Sequence, residues 1–119
     1  MVWTALPARS TTPVTQAEAE RIADVYLYSA ESRARGDLVT VQEHASCFTV
    51  RIRPRPVPSA DPAAPPLPPS NIGAGVSVID KENGGVTFWP SWPAEAVAAA
   101  YQEAKAAGEV ELAAEWPRA

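Results

Sequence analysis

The sequence predicts an α+β fold: an N-terminal helix, an antiparallel sheet of about four strands with a long Pro-rich loop, and a second helix packed on the sheet. Apolar residues recur at helical spacing over residues 14–36 and 94–108, and between these segments they alternate at strand spacing. The 119 residues are 46% hydrophobic and 20% charged, which suffices for one core. We therefore expect a single domain over 14–116, preceded by a loose lead-in over 1–13.

The first helix is expected to begin at Thr15, an N-cap residue with Glu18 three positions later to complete a capping box. Val14 and Ala19 would form a hydrophobic staple around this start. Gly36 is placed to end the helix in a left-handed cap. The expected buried stripe consists of Ala19, Ile22, Ala23, Tyr26, Leu27 and Ala30.

Two strands are predicted next, at 38–43 and 47–53. In the second strand apolar and polar residues alternate, so Arg51, Arg53 and Arg55 should project from one face. Such a stripe of arginines could bind an anion. Without interleaved aromatic residues, and in an acidic chain, a solvated sheet face is the favoured interpretation.

Residues 54–69 hold eight of the 13 prolines in the chain. Proline fixes φ and removes a backbone donor, so this segment cannot be a helix or a central strand. An extended insertion between strands, with polyproline II character, is favoured over a ligand for an aromatic-lined groove.

Two further strands are predicted at 75–79 and 85–89, joined by a hairpin turn at the Asn-Gly pair of residues 83–84. Both turn residues tolerate the positive φ that a tight turn requires. Asp80 and Glu82 at the hairpin tip lack the number and spacing of ligands found in a calcium loop. The tip is therefore expected to be a turn without a metal.

The second helix is expected to begin after Ser91 or Trp92 as its N-cap, with Pro93 in the first turn and Gly108 at the end. Its expected buried stripe consists of Val97, Ala98, Tyr101 and Ala104. Residues 109–116 are either a short last strand or a frayed turn, and the sequence leaves both open.

Charge and composition exclude several classes of function. The formal net charge of −4 argues against general nucleic-acid binding, which needs a basic footprint. No apolar run approaches the roughly 20 residues of a membrane span. The N-terminus lacks the pattern of a signal peptide, and a single cysteine excludes an internal disulfide. We expect a cytoplasmic protein.

A catalytic nucleophile with its base could come only from Cys47 and His44, three residues apart across a predicted turn. Cys47 opens an apolar strand, where a free cysteine is more often a small buried hydrophobe. One His and one Cys cannot fill a zinc shell without two carboxylates. We therefore predict no catalytic residues, no metal and no cofactor.

Several local patterns resemble the YrhB-like immunity-protein family, also called immunity protein 35. The family's opening helix motif corresponds to Thr15, Ala19, Ala23, Tyr26 and Leu27. Its glycine-containing approach to an apolar strand that ends in Asp corresponds to Asn71, Gly73, Asp80 and Gly84. The short step into its last helix resembles "PSWPAEAVAAAY" at 90–101, and the resemblance covers residues 14–102.

The resemblance implies a small cytoplasmic protein that binds a bacterial toxin and neutralises it by occlusion. The candidate binding surface comprises the hairpin tip, two tryptophans and the acidic tail: Asp80, Glu82, Asn83, Trp89, Trp92, Glu109 and Glu111. Tryptophan is favoured at interface hot spots. Packing of Trp89 and Trp92 between the hairpin and the second helix is an equal alternative, and Trp3 and Trp116 could pack against each other.

Two other functions stay open at this point. A small chaperone-like or scaffold subunit of a larger assembly would use the Pro-rich loop or the termini for docking. An enzyme would need Cys47 and His44. The expected partner is a protein, with no nucleic acid and no membrane, and an exposed sheet edge leaves a homodimer open.

Overall fold

The computed structural model describes residues 3–8, 10–53 and 75–114. It confirms the α+β fold, with helices and a four-stranded antiparallel sheet. The Pro-rich segment 54–69 and Trp116 lie outside the described residues, and so do the predictions made for them.

The main sheet has the strand order β2-β3-β4-β5, with every neighbouring pair antiparallel. A separate parallel pair joins β1 to β6. The strands are β1 (Trp3–Ala5), β2 (Leu38–Glu43), β3 (Cys47–Arg53), β4 (Val76–Asp80), β5 (Val86–Trp89) and β6 (Val110–Leu112). The helices are α1 (Gln16–Ile22), α2 (Ala30–Arg35) and α3 (Ala94–Ala106), with a π-helical turn (Ala23–Leu27) after α1.

The predicted first helix is interrupted. The Thr15 hydroxyl accepts the Glu18 N–H at 3.2 Å and caps α1, as expected, and Gly36 ends α2 at φ 72°. The prediction of one continuous helix was wrong at Tyr28, where the backbone is extended. Ser29 then caps α2 through its side chain. The Tyr28 hydroxyl donates to the carbonyl of Asp37 at 2.7 Å, which ties the break to the start of β2.

The capping box is only half formed. The Glu18 carboxylate accepts hydrogen bonds from Arg21 at 2.9 Å and from the Ser10 hydroxyl at 3.1 Å, so it contacts its own helix and the preceding loop. Val14 and Ala19 are both buried in the same cluster, as the staple requires. Ala30, the last member of the predicted stripe, is exposed because it begins the new helix α2.

The core has two parts, one on each face of the sheet. Helix α1 and the π-helical turn pack on the first face, and α3 packs on the second. Cluster one contains Val14, Ala19, Ile22, Ala23, Phe48, Val50, Ile79 and Val86. Cluster two contains Cys47, Val76, Val78, Trp89, Val97, Ala98, Tyr101 and Ala104. Neighbours along a strand alternate between the two clusters, as the pleat requires.

The hairpin between β4 and β5 has a longer connection than a two-residue turn. Gly84 is in the left-handed region at φ 71°, and its N–H donates to the carbonyl of Asp80 at 2.8 Å. Asn83 keeps a negative φ, contrary to the expectation for an Asn-Gly turn. Its side-chain oxygen instead accepts the N–H of Gly85 at 2.7 Å and stabilises the turn.

Helix α3 has the predicted buried stripe, because Val97, Ala98, Tyr101 and Ala104 are all buried. Its N-cap is Pro93, with no side-chain cap bond, so the expectation of Ser91 or Trp92 at this position was wrong. Gly108 follows the helix at φ 73°.

The two chain ends form the β1–β6 pair. Trp3 pairs with Val110, which places a strand inside the segment expected to be a loose lead-in and resolves the tail as a strand. The Trp3 ring stacks on Trp89 with centroids 3.9 Å apart. Leu6 then bridges to Val86 on the edge strand β5. The N-terminal strand therefore pairs with residues from the far end of the chain, which a local pattern cannot show.

Candidate protein-binding surface

Asp80, expected at an exposed hairpin tip, is fully buried, with 0% of its surface exposed. Its carboxylate accepts hydrogen bonds from the Tyr101 hydroxyl, from Lys105 Nζ at 2.8 Å and from the Glu82 N–H at 2.7 Å. A buried charge is tolerated when it is paired and hydrogen-bonded in this way. The expectation that Asp80 is exposed was therefore wrong.

The electrostatics of this cluster favour a charged Asp80. Burial by itself would raise the pKa of the Asp80 carboxyl, but hydrogen bonds from Lys105 and Tyr101 outweigh it and hold the pKa below its usual value. Burial, followed by the hydrogen bond to Asp80, raises the pKa of the Tyr101 hydroxyl, which stays protonated and donates. The cluster fixes the hairpin to α3.

The remaining carboxylates of the predicted surface lie in the β4–β5 hairpin, between α3 and β6, and in β6. Glu82 has 78% of its side chain exposed and lies 3.3 Å from Lys105 in the last turn of α3. Strand β6 lies close to the hairpin: a Cβ atom added to Gly85 would be 3.2 Å from Leu112 Cδ1. We call the exposed residues here the acidic end: Glu82, Asn83, Glu109 and Glu111.

Trp89 is buried, with 5% of its surface exposed, so its expected role as an exposed aromatic was wrong. The core-packing alternative is the one observed. Its indole N–H donates to the Thr87 hydroxyl at 2.8 Å, and its ring meets Tyr101 edge to face at 6.3 Å between centroids. Phe88, on the opposite face of β5, is 50% exposed.

Trp92 is the exposed tryptophan of the predicted pair, with 47% of its surface accessible. It precedes α3, whereas the acidic end adjoins Lys105 in the last turn of that helix. With a rise of about 1.5 Å per residue, the start of α3 beside Trp92 and Lys105 in its last turn are about 18 Å apart. The predicted residues therefore do not form one patch.

A groove that the sequence did not predict lies near Trp92. It has a volume of about 490 Å³ and runs between the second face of the sheet and the start of α3. Arg51 and Arg53 line it, which confirms that they share a face, and Arg51 donates to the Trp92 carbonyl. Arg55 lies outside the described residues. We call this the arginine groove: Thr40, Gln42, Thr49, Arg51, Arg53, Val76, Ser91, Pro93, Ala94 and Glu95.

Cys47 and His44 do not form a nucleophile and base. Burial raises the pKa of the Cys47 thiol to about 11, so the thiol is protonated at neutral pH and is a poor nucleophile. The His44 ring lies 2.9 Å from the Thr49 hydroxyl through Nε2.

Residues 3–8, 10–53 and 75–114 contain neither a metal-binding cluster nor a membrane-spanning helix. Over these ranges, no group of three or more His, Cys, Asp or Glu residues is arranged to hold a metal ion. No helix within them has the length and apolar character needed to cross a membrane.

Comparison with known protein families gives a match over most of the chain. A family model described as an immunity protein 35-like domain matches residues 17–109. The match runs from the start of α1 to the residue before β6, which is most of the chain, and it confirms the resemblance found in the sequence. No curated protein and no solved structure matches the chain.

Proposed function

Because the chain belongs to the immunity protein 35-like family, we propose that it neutralises a cognate bacterial toxin by binding it and occluding its active surface. The family match over residues 17–109 is the observation that carries this proposal. The proposed location is the cytoplasm. A single free cysteine, Cys47, is typical of a protein that needs no disulfide in this reducing compartment.

The acidic end is the surface we propose for the toxin. Glu82, Glu109 and Glu111 are exposed there, and Leu112, which is 54% exposed, adds apolar area beside them. A patch of negative charges attracts a basic partner and speeds its docking, while the apolar area contributes affinity. The buried bond between Asp80 and α3 supports this surface by holding the hairpin tip in place.

Occlusion requires no chemistry from the immunity protein. The protonated, buried thiol of Cys47 supports a non-catalytic role, since the residue pair most suited to nucleophilic catalysis is not arranged for it. The proposed complex therefore acts by stoichiometric binding.

The test begins with affinity purification from the native organism, with this protein as bait, followed by co-expression with the recovered partner. We expect a partner with a toxin domain and rescue of growth by the wild-type chain. Glu111→Lys should weaken rescue, because it reverses a charge in the acidic end. Glu20→Lys is the matched control, since Glu20 is an exposed residue of α1 and the change in charge is the same.

Equal rescue by both variants would contradict the assignment of the acidic end. Recovery of housekeeping proteins with no toxin domain would contradict the immunity function and favour a scaffold subunit.

A further inference from the structure

The arginine groove combines two guanidinium groups, one of them held by a hydrogen bond, with an apolar wall. The Arg51 guanidinium is held by the Trp92 carbonyl, which orients it across the groove. Arg53 is exposed, and its guanidinium has no hydrogen bond or ion pair with any described residue. Val76 is buried beneath them, and Pro93 adds an apolar wall. An apolar wall beside guanidinium donors suits a ligand with both carboxylate and apolar parts.

Arginines outnumber carboxylates among the described residues that line the groove. Glu95, the carboxylate among them, accepts a hydrogen bond from Gln42 at 3.3 Å. The hydroxyls of Thr40 and Ser91 have no partner among the described residues and can donate to a ligand. The groove therefore offers mainly donors and positive charge, on a protein whose formal net charge is −4.

We propose that the arginine groove binds an extended acidic peptide segment of the partner protein, with its carboxylates on Arg51 and Arg53. This inference rests on the proposed function, in which the partner is a toxin domain. The acidic end would repel the same segment, so the two surfaces together fix the orientation of the partner.

An acidic peptide fits the groove better than a free anion does. A volume of about 490 Å³ lies within the range of pockets that enclose sizeable ligands, whereas one phosphate would leave most of the groove, including the wall at Pro93, unfilled. Among the described residues that line the groove, nucleic acid would meet two arginines and no aromatic side chain, on a chain of acidic net charge.

The first experiment uses the full chain and a defined probe. An N-acetylated, C-amidated hexaglutamate peptide is titrated into isotope-labelled protein, and shifts are followed by NMR at the Arg51 and Arg53 guanidinium N–H groups and at the amides of Thr40 and Ser91. We expect shifts confined to these positions, lost in Arg53→Glu and retained in Arg33→Glu. Arg33 is the matched control, because it is exposed on α2 and its variant carries the same change in charge.

Three outcomes would overturn the proposal. The first is equal loss of shifts in both variants, which would show that net charge alone matters. The second is the same pattern of shifts with inorganic phosphate, which would make the ligand a free anion. The third is no shift at the groove in the wild-type chain.

A second measurement separates this proposal from the proposed function. With the toxin domain in hand, Arg53→Glu should weaken its binding by about tenfold, as expected for loss of one charged hydrogen bond, and Arg33→Glu should not. Neutralisation that is unchanged in Arg53→Glu would reject the groove and leave the immunity function intact. Hexaglutamate binding at the groove without any toxin neutralisation would reject the function and leave the groove intact.

Discussion

Replacement of the buried Asp80 by Asn should destabilise the fold strongly at neutral pH. Asn keeps the size of the side chain and an acceptor for the Glu82 N–H, but it removes the charge that pairs with Lys105. Hydrogen bonds to charged groups contribute about 1.5–3 kcal/mol each, and here two are weakened, from Tyr101 and from Lys105. Because Lys105 is 30% exposed and can turn towards Glu82 and water, we expect a loss of about 2–4 kcal/mol in the free energy of unfolding.

The loss of stability caused by Asp80→Asn should become smaller as the pH falls. The fold holds the pKa of Asp80 below its usual value, so the unfolded chain binds the proton more readily. The contribution of Asp80 is therefore complete above its unfolded pKa of about 3.9 and disappears as the pH falls through the lower folded pKa. The stabilities of wild type and Asp80→Asn should converge in acid.

Urea denaturation followed by tryptophan fluorescence, at pH 7 and in steps down to acid, measures both effects. Asp24→Asn is the control, because Asp24 pairs with Arg33 at 2.7 Å on the exposed surface. That pair should contribute less than about 1 kcal/mol. A loss in Asp80→Asn as small as in the control, or one that persists unchanged in acid, would refute the assigned role of the cluster.

Two more predictions test the packing. Trp3→Ala should lower the free energy of unfolding by about 1–2 kcal/mol, because it removes the stack on Trp89. Trp92→Ala, at an exposed position, should change the free energy of unfolding little. Equal losses in the two variants would contradict the packing of the N-terminal strand. The Cys47 thiol, with its pKa of about 11, should resist a disulfide reagent at pH 8 in the folded chain and react after unfolding. Fast labelling of the native protein would contradict its burial.

Local patterns in the sequence predicted the elements whose structure depends on near neighbours. Strands β2 and β3 fall at the predicted residues 38–43 and 47–53. In β3 the alternation of apolar Phe48, Val50 and Ile52 with polar residues is the local signal of a strand. The buried stripe of α3 follows from helical periodicity in the same way. The break at Tyr28 carries one local signal in the sequence, since Ser29 is an N-cap residue type.

The features that the sequence did not reveal depend on residues distant along the chain. The burial of Asp80 requires Tyr101, 21 positions away, and nothing near the hairpin marks that contact. Alternation in β5 places Phe88 and Trp89 on opposite faces of the sheet. Only the contacts of Trp89 with Trp3 and α3 show that Trp89 is the one that is buried. The arginine groove likewise exists because the start of α3 passes over β3, where Arg51 meets the Trp92 carbonyl.

The most direct test of the central claim is a titration of purified toxin-domain activity with this protein. If the chain neutralises by occlusion, activity should fall in proportion to added protein, reach zero near equimolar amounts and return in full when the complex is dissociated. Complete and lasting loss of toxin activity at a small fraction of an equivalent would show catalytic turnover and contradict the account.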